Sequence, residues 1–236
     1  MSEIDTRVTP SLHPDVVAQI DGYGEDTKDV LAPTMTAFSE AYIGLSQVHT
    51  AREKAQTNPT WNVAQQVIHT QEFADKIKAK VARSFDSTMA NLKKGITHLE
   101  GELSAPITSS ATSSVSAEIR AHVRSLPTGE RIAFVQKAIE AGDEVSASAV
   151  LGAPCYLSGV EPGLAQSYTR LYHEKKSPEV AKRLKVMMGA RDLIMQRGAL
   201  LHSEMEKAVG MAPHRVRALR EARNESDRAF VLKDMV

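Results

Sequence analysis

The chain reads as an all-α protein built on a long antiparallel helical hairpin, followed by a small helical domain and a long carboxy-terminal helix. Three observations predict this. Two segments with helical apolar spacing, 31–56 and 59–104, are separated only by Thr57, Asn58 and Pro59. Aromatic residues make up only 5% of the chain, while Ala, Leu, Glu, Lys, Arg, Gln and Met, which lose least on entering a helix, are plentiful. A charge-free Ser/Thr/Ala stretch then divides the hairpin from a series of shorter segments, each opened or closed by Pro, Gly or Asp.

Residues 1–26 form an acidic arm, with Glu3, Asp5, Asp15, Asp21, Glu25 and Asp26 against Arg7. Pro10, Pro14, Gly22 and Gly24 break any long helix there, leaving at most one short turn at 15–20. Such an arm reads first as a solvated leader and second as a docking tail for a basic partner.

The hairpin domain is placed at 27–104. Leu31, Met35, Phe38, Tyr42, Leu45 and Val48 recur at steps of three and four, which makes one apolar stripe on a helix. Pro33 is tolerated in a first helical turn, so the regular helix is expected to start near it. Asn58 and Pro59 read as cap and first residue of the second arm. The stripe of that arm includes Trp61, Ile68, Ile77, Val81, Phe85, Met89, Leu92, Ile96, Leu99 and Leu103, with Gly95 inside it. An arm over 59–104 would reach about 69 Å against about 39 Å for its partner. The surplus carries Phe85, Met89, Leu92, Ile96, Leu99 and Leu103, and these six are the expected contacts with another copy or another protein.

Residues 105–116 are read as a linker. The domain at 117–236 is expected to hold a helix over 117–124 and a second from Pro127 and Thr128 to Gly142. A third is capped by Asp143 and stops before Pro154, and a fourth runs from Pro162 to about His173. A long one from Pro178 is closed by Gly210, and a terminal helix runs from Arg215 to about Lys233. Cys155, Tyr156 and Leu157 lie between breakers and read as a buried corner.

Composition limits function. Twenty-nine basic and 29 acidic residues cancel, so no global field marks a nucleic-acid or membrane binder. The single cysteine excludes an internal disulfide. The opening MSEIDTRVTP has neither a basic start nor an apolar run, and no stretch approaches membrane-spanning length, so a soluble chain without a secretion signal is expected.

Chemistry-bearing patterns are sparse. None of His49, His69, His98, His173 or His202 has a Glu three residues before it, the spacing of di-iron bundles. His98 with Glu102, and His202 with Glu206, share helix faces at a spacing of four, which is ordinary for a wet surface. Glu100 and Glu102 point to different faces. Cys155 sits among apolar neighbours without a local base, the setting of a structural thiol. No phosphate-cradling glycine motif or zinc spacing occurs. No catalytic residue, metal or cofactor is therefore expected.

Three basic clusters bear on partners: Lys76, Lys78, Lys80 and Arg83; Lys175, Lys176, Lys182, Arg183 and Lys185; and Arg215, Arg217, Arg220 and Arg223 with His214. Lys76, Lys78, Lys80, Arg83, Arg215, Arg217 and Arg220 are candidate contacts to nucleic acid without sequence preference. The competing reading makes them the wet sides of a bundle, and few aromatics lie near them for base stacking.

Residues 126–159 carry a further pattern. A helix begins Arg131-x-x-x-Val135, ends in Gly142-Asp143, and is followed by Ala149-Val150-Leu151-x-Ala153-Pro154 and then Leu157-Ser158-Gly159. This segment resembles the core of helical proteins encoded by tailed bacteriophages and prophages. The resemblance covers about a seventh of the chain and transfers no catalytic residue. It implies a phage setting: a host cytoplasm during assembly, then the virion. Joined to the overlong arm, it leads to the expectation of a non-enzymatic assembly component, such as an internal or ejected virion protein, a scaffold or a connector accessory, that self-associates or binds other virion proteins. A nucleic-acid-associated packaging or replication factor is the alternative.

Overall fold

A computed structural model describes residues 5–231, and among these the regular structure is helical with no strand. The chain is all-α. Two 3-10 turns, Pro10–Leu12 and Pro14–Gln19, precede α1 (Lys28–Gln56) and α2 (Val63–Leu103). Next come α3 (Ser113–Ser125), α4 (Thr128–Ala141), α5 (Glu144–Leu151), the single turn α6 (Cys155–Ser158) and α7 (Pro162–Lys176). The last three are α8 (Pro178–Gly198), α9 (Leu200–Val209) and α10 (Pro213–Ala229). Contacts divide the chain into two units, Met1–Leu92 with Met188–Val236, and Lys93–Met187.

In the first unit the amino-terminal segment is a strap held against α1, which corrects the reading of a solvated leader. Charge dominates its composition, yet Leu12 and Val17 are fully buried and Val8 and Val16 nearly so. Both 3-10 turns pack on α1. His13 Nδ1 accepts from the Asp15 amide (3.2 Å) and so caps the turn expected near 15–20. Tyr42 fixes the strap's start: its Oη accepts from the Asp5 amide (2.8 Å) and donates to the Asp5 carbonyl (3.1 Å). Arg7 adds Glu53 of α1 at 2.7 Å. Part of the acidic arm, residues 1–4, lies outside the described residues.

Pro33 stands inside α1 rather than at its start. The helix begins five residues earlier because Thr27, itself buried, knits the preceding turn together. Its Oγ1 accepts from the Gly24 amide (2.9 Å) and donates to the Gly22 carbonyl (3.0 Å), and the buried Leu31 anchors the first turn. The lost hydrogen bond of Pro33 is thus confined to the first two turns.

α1 and the first part of α2 run antiparallel. The Phe38 ring meets Phe85 edge-on at 5.2 Å, Glu40 pairs with Lys80 at 3.2 Å, and Gly44 lies so near Ile77 that a Cβ there would stand 2.6 Å from its Cγ2. Numbers rise on one helix as they fall on the other. α2 does not start at Pro59. Asn58 Oδ1 instead accepts from the amide and hydroxyl of Thr60 (2.9 and 2.8 Å), closing a turn. Asn62 and Gln65 then form a reciprocal box, each side chain accepting from the other's amide (2.9 and 3.0 Å). From there α2 continues unbroken through Gly95 for 41 residues, about 62 Å.

The expected single helix from Pro178 to Gly210 is interrupted at Ala199, next to Gly198, where helix propensity is lowest. α9 packs on α1, and α10 lies antiparallel on α2 through Arg220 to Asp75 and Arg223 to Glu72, both at 2.7 Å. The terminal helix runs Pro213–Ala229 and is closed by Phe230, short of the expected end near Lys233, which itself lies outside the described residues.

The second unit closes around Ile107, Val123, Val135, Ala138, Ile139, Ala147, Val150, Val160 and Tyr172. The stretch 105–116 is part of this unit rather than a free linker. Ile107 enters the core, the Ser110 amide donates to Ser148 Oγ (3.0 Å), Ser109 and Ser116 share a hydroxyl hydrogen bond (2.7 Å), and α3 already begins at Ser113. Small hydroxyl residues that look like a flexible tether bond to the buried Ser148 and Ser116 instead. The expected boundaries of α4 and α5 hold: Gly142 takes a left-handed φ of 72°, and Asp143 Oδ1 accepts from the Ser146 amide (3.0 Å). The last turns of α2 belong here, and Met187 of α8 occupies the space where a side chain at position 95 would stand. Gly95, costly to the isolated helix, permits that approach.

Candidate interaction surfaces

The six apolar residues expected to form a bare ridge are not bare. Phe85, Leu92, Ile96 and Leu103 are only 6%, 3%, 5% and 2% exposed, and Met89 and Leu99 are half-buried. Phe85 is met by Phe38 of α1, so the shorter helix reaches further along α2 than expected. Ile96, Leu99 and Leu103 fall in the second unit, which takes up the surplus turns of the arm. The stripe is core, and the expectation of an unpartnered ridge is corrected.

The exposed apolar side chains lie elsewhere. In the second unit Tyr156 is 76% exposed, and it was expected to be buried. α6 is a single turn ended by Gly159 at a φ of 70°, which leaves the ring projecting beside an open cleft of about 460 Å³. Ile132, Val160, Pro162 and Leu164 supply its apolar wall, with Cys155 half-buried at the rim.

The cationic residues divide by whether they are spent on neighbours. Lys80 pairs with Glu40, whose carboxyl is held below its ordinary range by a Ser84 hydrogen bond and by Lys80, against the opposing effect of burial. Lys78 donates to His202 Nδ1 at 2.6 Å, and Nε2 of that ring faces Glu206 at 3.1 Å. Arg220 pairs with Asp75. Arg223 pairs with Glu72, which it draws below the usual carboxylate range. Lys76, Arg83, Arg215 and Arg217 are exposed, and no ion pair engages them among the described residues. The contact of α10 with α2 brings the two sequence-distant basic clusters of this unit onto adjacent helices.

At the hairpin tip Trp61 stacks on His69, with centroids 4.3 Å apart and planes 21° from parallel. Together with Ala51, Lys54, Ala55, Asn58 and Thr70 these rings line a cleft of about 370 Å³. The sequence places Trp61 on the apolar stripe of α2; the turn that ends at Asn62 frees it from the helix. The Asn62-x-x-Gln65 spacing is the signal that locates this start.

His98 with Glu102 and His202 with Glu206 are surface pairs at 3.2 and 3.1 Å. Among the described residues no group of three or more His, Cys, Asp or Glu is placed to hold a metal ion, and no helix is long and apolar enough to cross a membrane. No family model matches the chain, and neither a curated protein nor a solved structure matches it.

Proposed function

We propose that the chain is a non-enzymatic assembly protein, a component of a bacteriophage particle or of its morphogenesis, that works by packing against further copies of itself or other particle proteins. The observation that carries this reading is Tyr156, a projecting ring beside an open apolar cleft on one patch of the second unit. A knob next to a hole is what a two-fold interface needs, because each copy's ring enters the other's cleft. Tyrosine is among the residues that concentrate interface energy, through large area at low conformational cost. Tyr156 itself lies within the segment, 126–159, that resembles phage proteins, and the cleft's Val160, Pro162 and Leu164 follow directly on it. Sedimentation of the full chain over a range of concentrations tests the reading. Mass should rise toward a dimer or larger species, and Tyr156→Asp should abolish the rise while leaving the melting transition in place. A chain that stays monomeric at several hundred micromolar, with or without the substitution, sinks the self-association route.

A second reading, a nucleic-acid-associated packaging or replication accessory, is favoured by one specific arrangement. Arg220 and Arg223 neutralise Asp75 and Glu72 on α2, so the acids that would offset Lys76 are already engaged. Binding of this kind weakens steeply with added salt.

A further inference from the structure

The exposed side of α2 carries more than charge. Lys76, Lys80 and Arg83 follow His69 at steps of 7, 11 and 14 residues, which return to one side of a helix. That side is turned away from the buried positions Val81, Phe85 and Leu92. The stripe is about 21 Å long from His69 to Arg83. At its head lies the Trp61–His69 stack, lining the tip cleft beside Lys54, which carries no ion pair among the described residues. Of the α2 acids beside the stripe, Glu72 and Asp75 are held by arginines of α10, which leaves Asp86 near Arg83.

We infer that this stripe is a track for single-stranded nucleic acid, a proposal that rests on the second reading above. Lys76 and Arg83, which no ion pair engages among the described residues, face phosphates, Lys80 between them divides its charge between the strand and Glu40, and Trp61 at the cleft gives one base a surface to stack on. Cations alone would suit any polyanion. The aromatic pair at the end of the row selects a ligand with both phosphates and open base faces. A duplex hides its base faces, and an acidic peptide or a lipid surface has none.

Trp61 is the sole tryptophan, so its fluorescence reports the site without a label. A 12-nucleotide single strand titrated into the full chain at low salt should quench that emission, with affinity falling as salt rises. Lys76→Glu combined with Arg83→Glu should weaken binding at least tenfold. Trp61→Leu, followed by anisotropy of a labelled strand, should weaken it about five- to tenfold for single strands and leave weaker duplex binding unchanged. Trp61→Phe, which keeps a ring, should recover most of the loss and guards against misfolding at the turn. If the strand binds in a salt-dependent way but none of these substitutions matters, while Arg215→Glu with Arg217→Glu abolishes binding, the track is wrong and the nucleic-acid reading stands. Equal affinity for duplex or heparin, with Trp61→Leu silent, overturns the track as a non-selective polyanion face. No binding of any strand at low salt removes both.

Discussion

The Arg131 guanidinium donates to the carbonyl of Gly159, tying the start of α4 to the residue that ends α6, 28 positions later. The same side chain reaches the carbonyls of Val123 (3.3 Å), Arg124 (3.2 Å) and Leu126 (3.0 Å), the last groups of α3. Carbonyls at a helix end have no partner within the helix and carry the negative end of its dipole, so one half-buried cation satisfies two termini at once. Gly159 accepts at a φ of 70°, and a side chain there would stand 2.8 Å from the guanidinium. Their bond fixes the Leu157-Ser158-Gly159 corner against the start of α4.

Removing the guanidinium should therefore cost more than a surface charge. Arg131→Met keeps most of the stem but leaves carbonyls of α3 and α6 without a donor, a loss of about 3 kcal/mol. Gly159→Ala should cost about 1–2 kcal/mol from left-handed strain and crowding. Urea unfolding followed by circular dichroism measures both. Because the two sites share one interaction, the double variant should lose less than the sum.

Helix ends were the most legible part of the sequence because each is written in one or two residues. Gly142, Asp143, Pro162 and Pro178 stand at the ends that their chemistry predicts. What could not be read was which surface each apolar stripe meets. Val8, Leu12 and Val16 recur at steps of four, but Pro10 and Pro14 break the helix that this spacing needs and 3-10 turns bury Leu12 and Val16 instead, so the charges around them dominate a reading of the arm. Ile96 and Leu103 look identical in sequence whether a second copy or other helices of their own unit cover them. Only Gly95, small enough for Met187 to approach, hinted that something inside the chain comes close. The site residues fared similarly. The basic clusters were visible as clusters, but the pairing of Arg220 and Arg223 with α2 acids joins residues 145 and 151 positions apart, and no local pattern announces it.

The strap should make stability depend on pH above the carboxylate range. His49 is half-buried on α1, and burial, reinforced by Arg7 and Arg52 and opposed by Asp5 and Glu53, pushes its pKa down. The unfolded chain, with an ordinary histidine near pH 6.5, then takes up the proton first. The contribution of neutral His49 is full above about pH 6.5 and is lost as pH falls through its lower folded value. Asp5 acts in a separate window. The hydrogen bond from Arg7 holds its carboxyl far below the usual range against burial, so its contribution fades only below about pH 4. Urea midpoints at pH 7.5 and 5.0 should differ in the native chain and differ less in His49→Gln.

The start of α2 gives a local test. Asn62→Ala removes the acceptor for the Gln65 amide and half of a reciprocal box, which should cost about 1 kcal/mol. Asn58→Ala should cost less, because its side chain serves a turn and not the helix end. The order would invert if Asn58 were the true cap. Thermal melts of the two variants decide it, and amide exchange at the first turn of α2 should accelerate in Asn62→Ala alone.

Leu92 and Tyr156 separate stability from association. Leu92 is 3% exposed, so Leu92→Ala opens a cavity and should lower stability by about 3 kcal/mol. Its effect on molecular mass should be nil at concentrations where the variant remains folded. Tyr156 is 76% exposed, so Tyr156→Ala should change stability by no more than about 0.5 kcal/mol while shifting the mass distribution toward the monomer. Both quantities come from urea titration and sedimentation of the same preparations. Loss of self-association in folded Leu92→Ala, with Tyr156→Ala unaffected, would return the interface to α2 and require its stripe to open when copies meet.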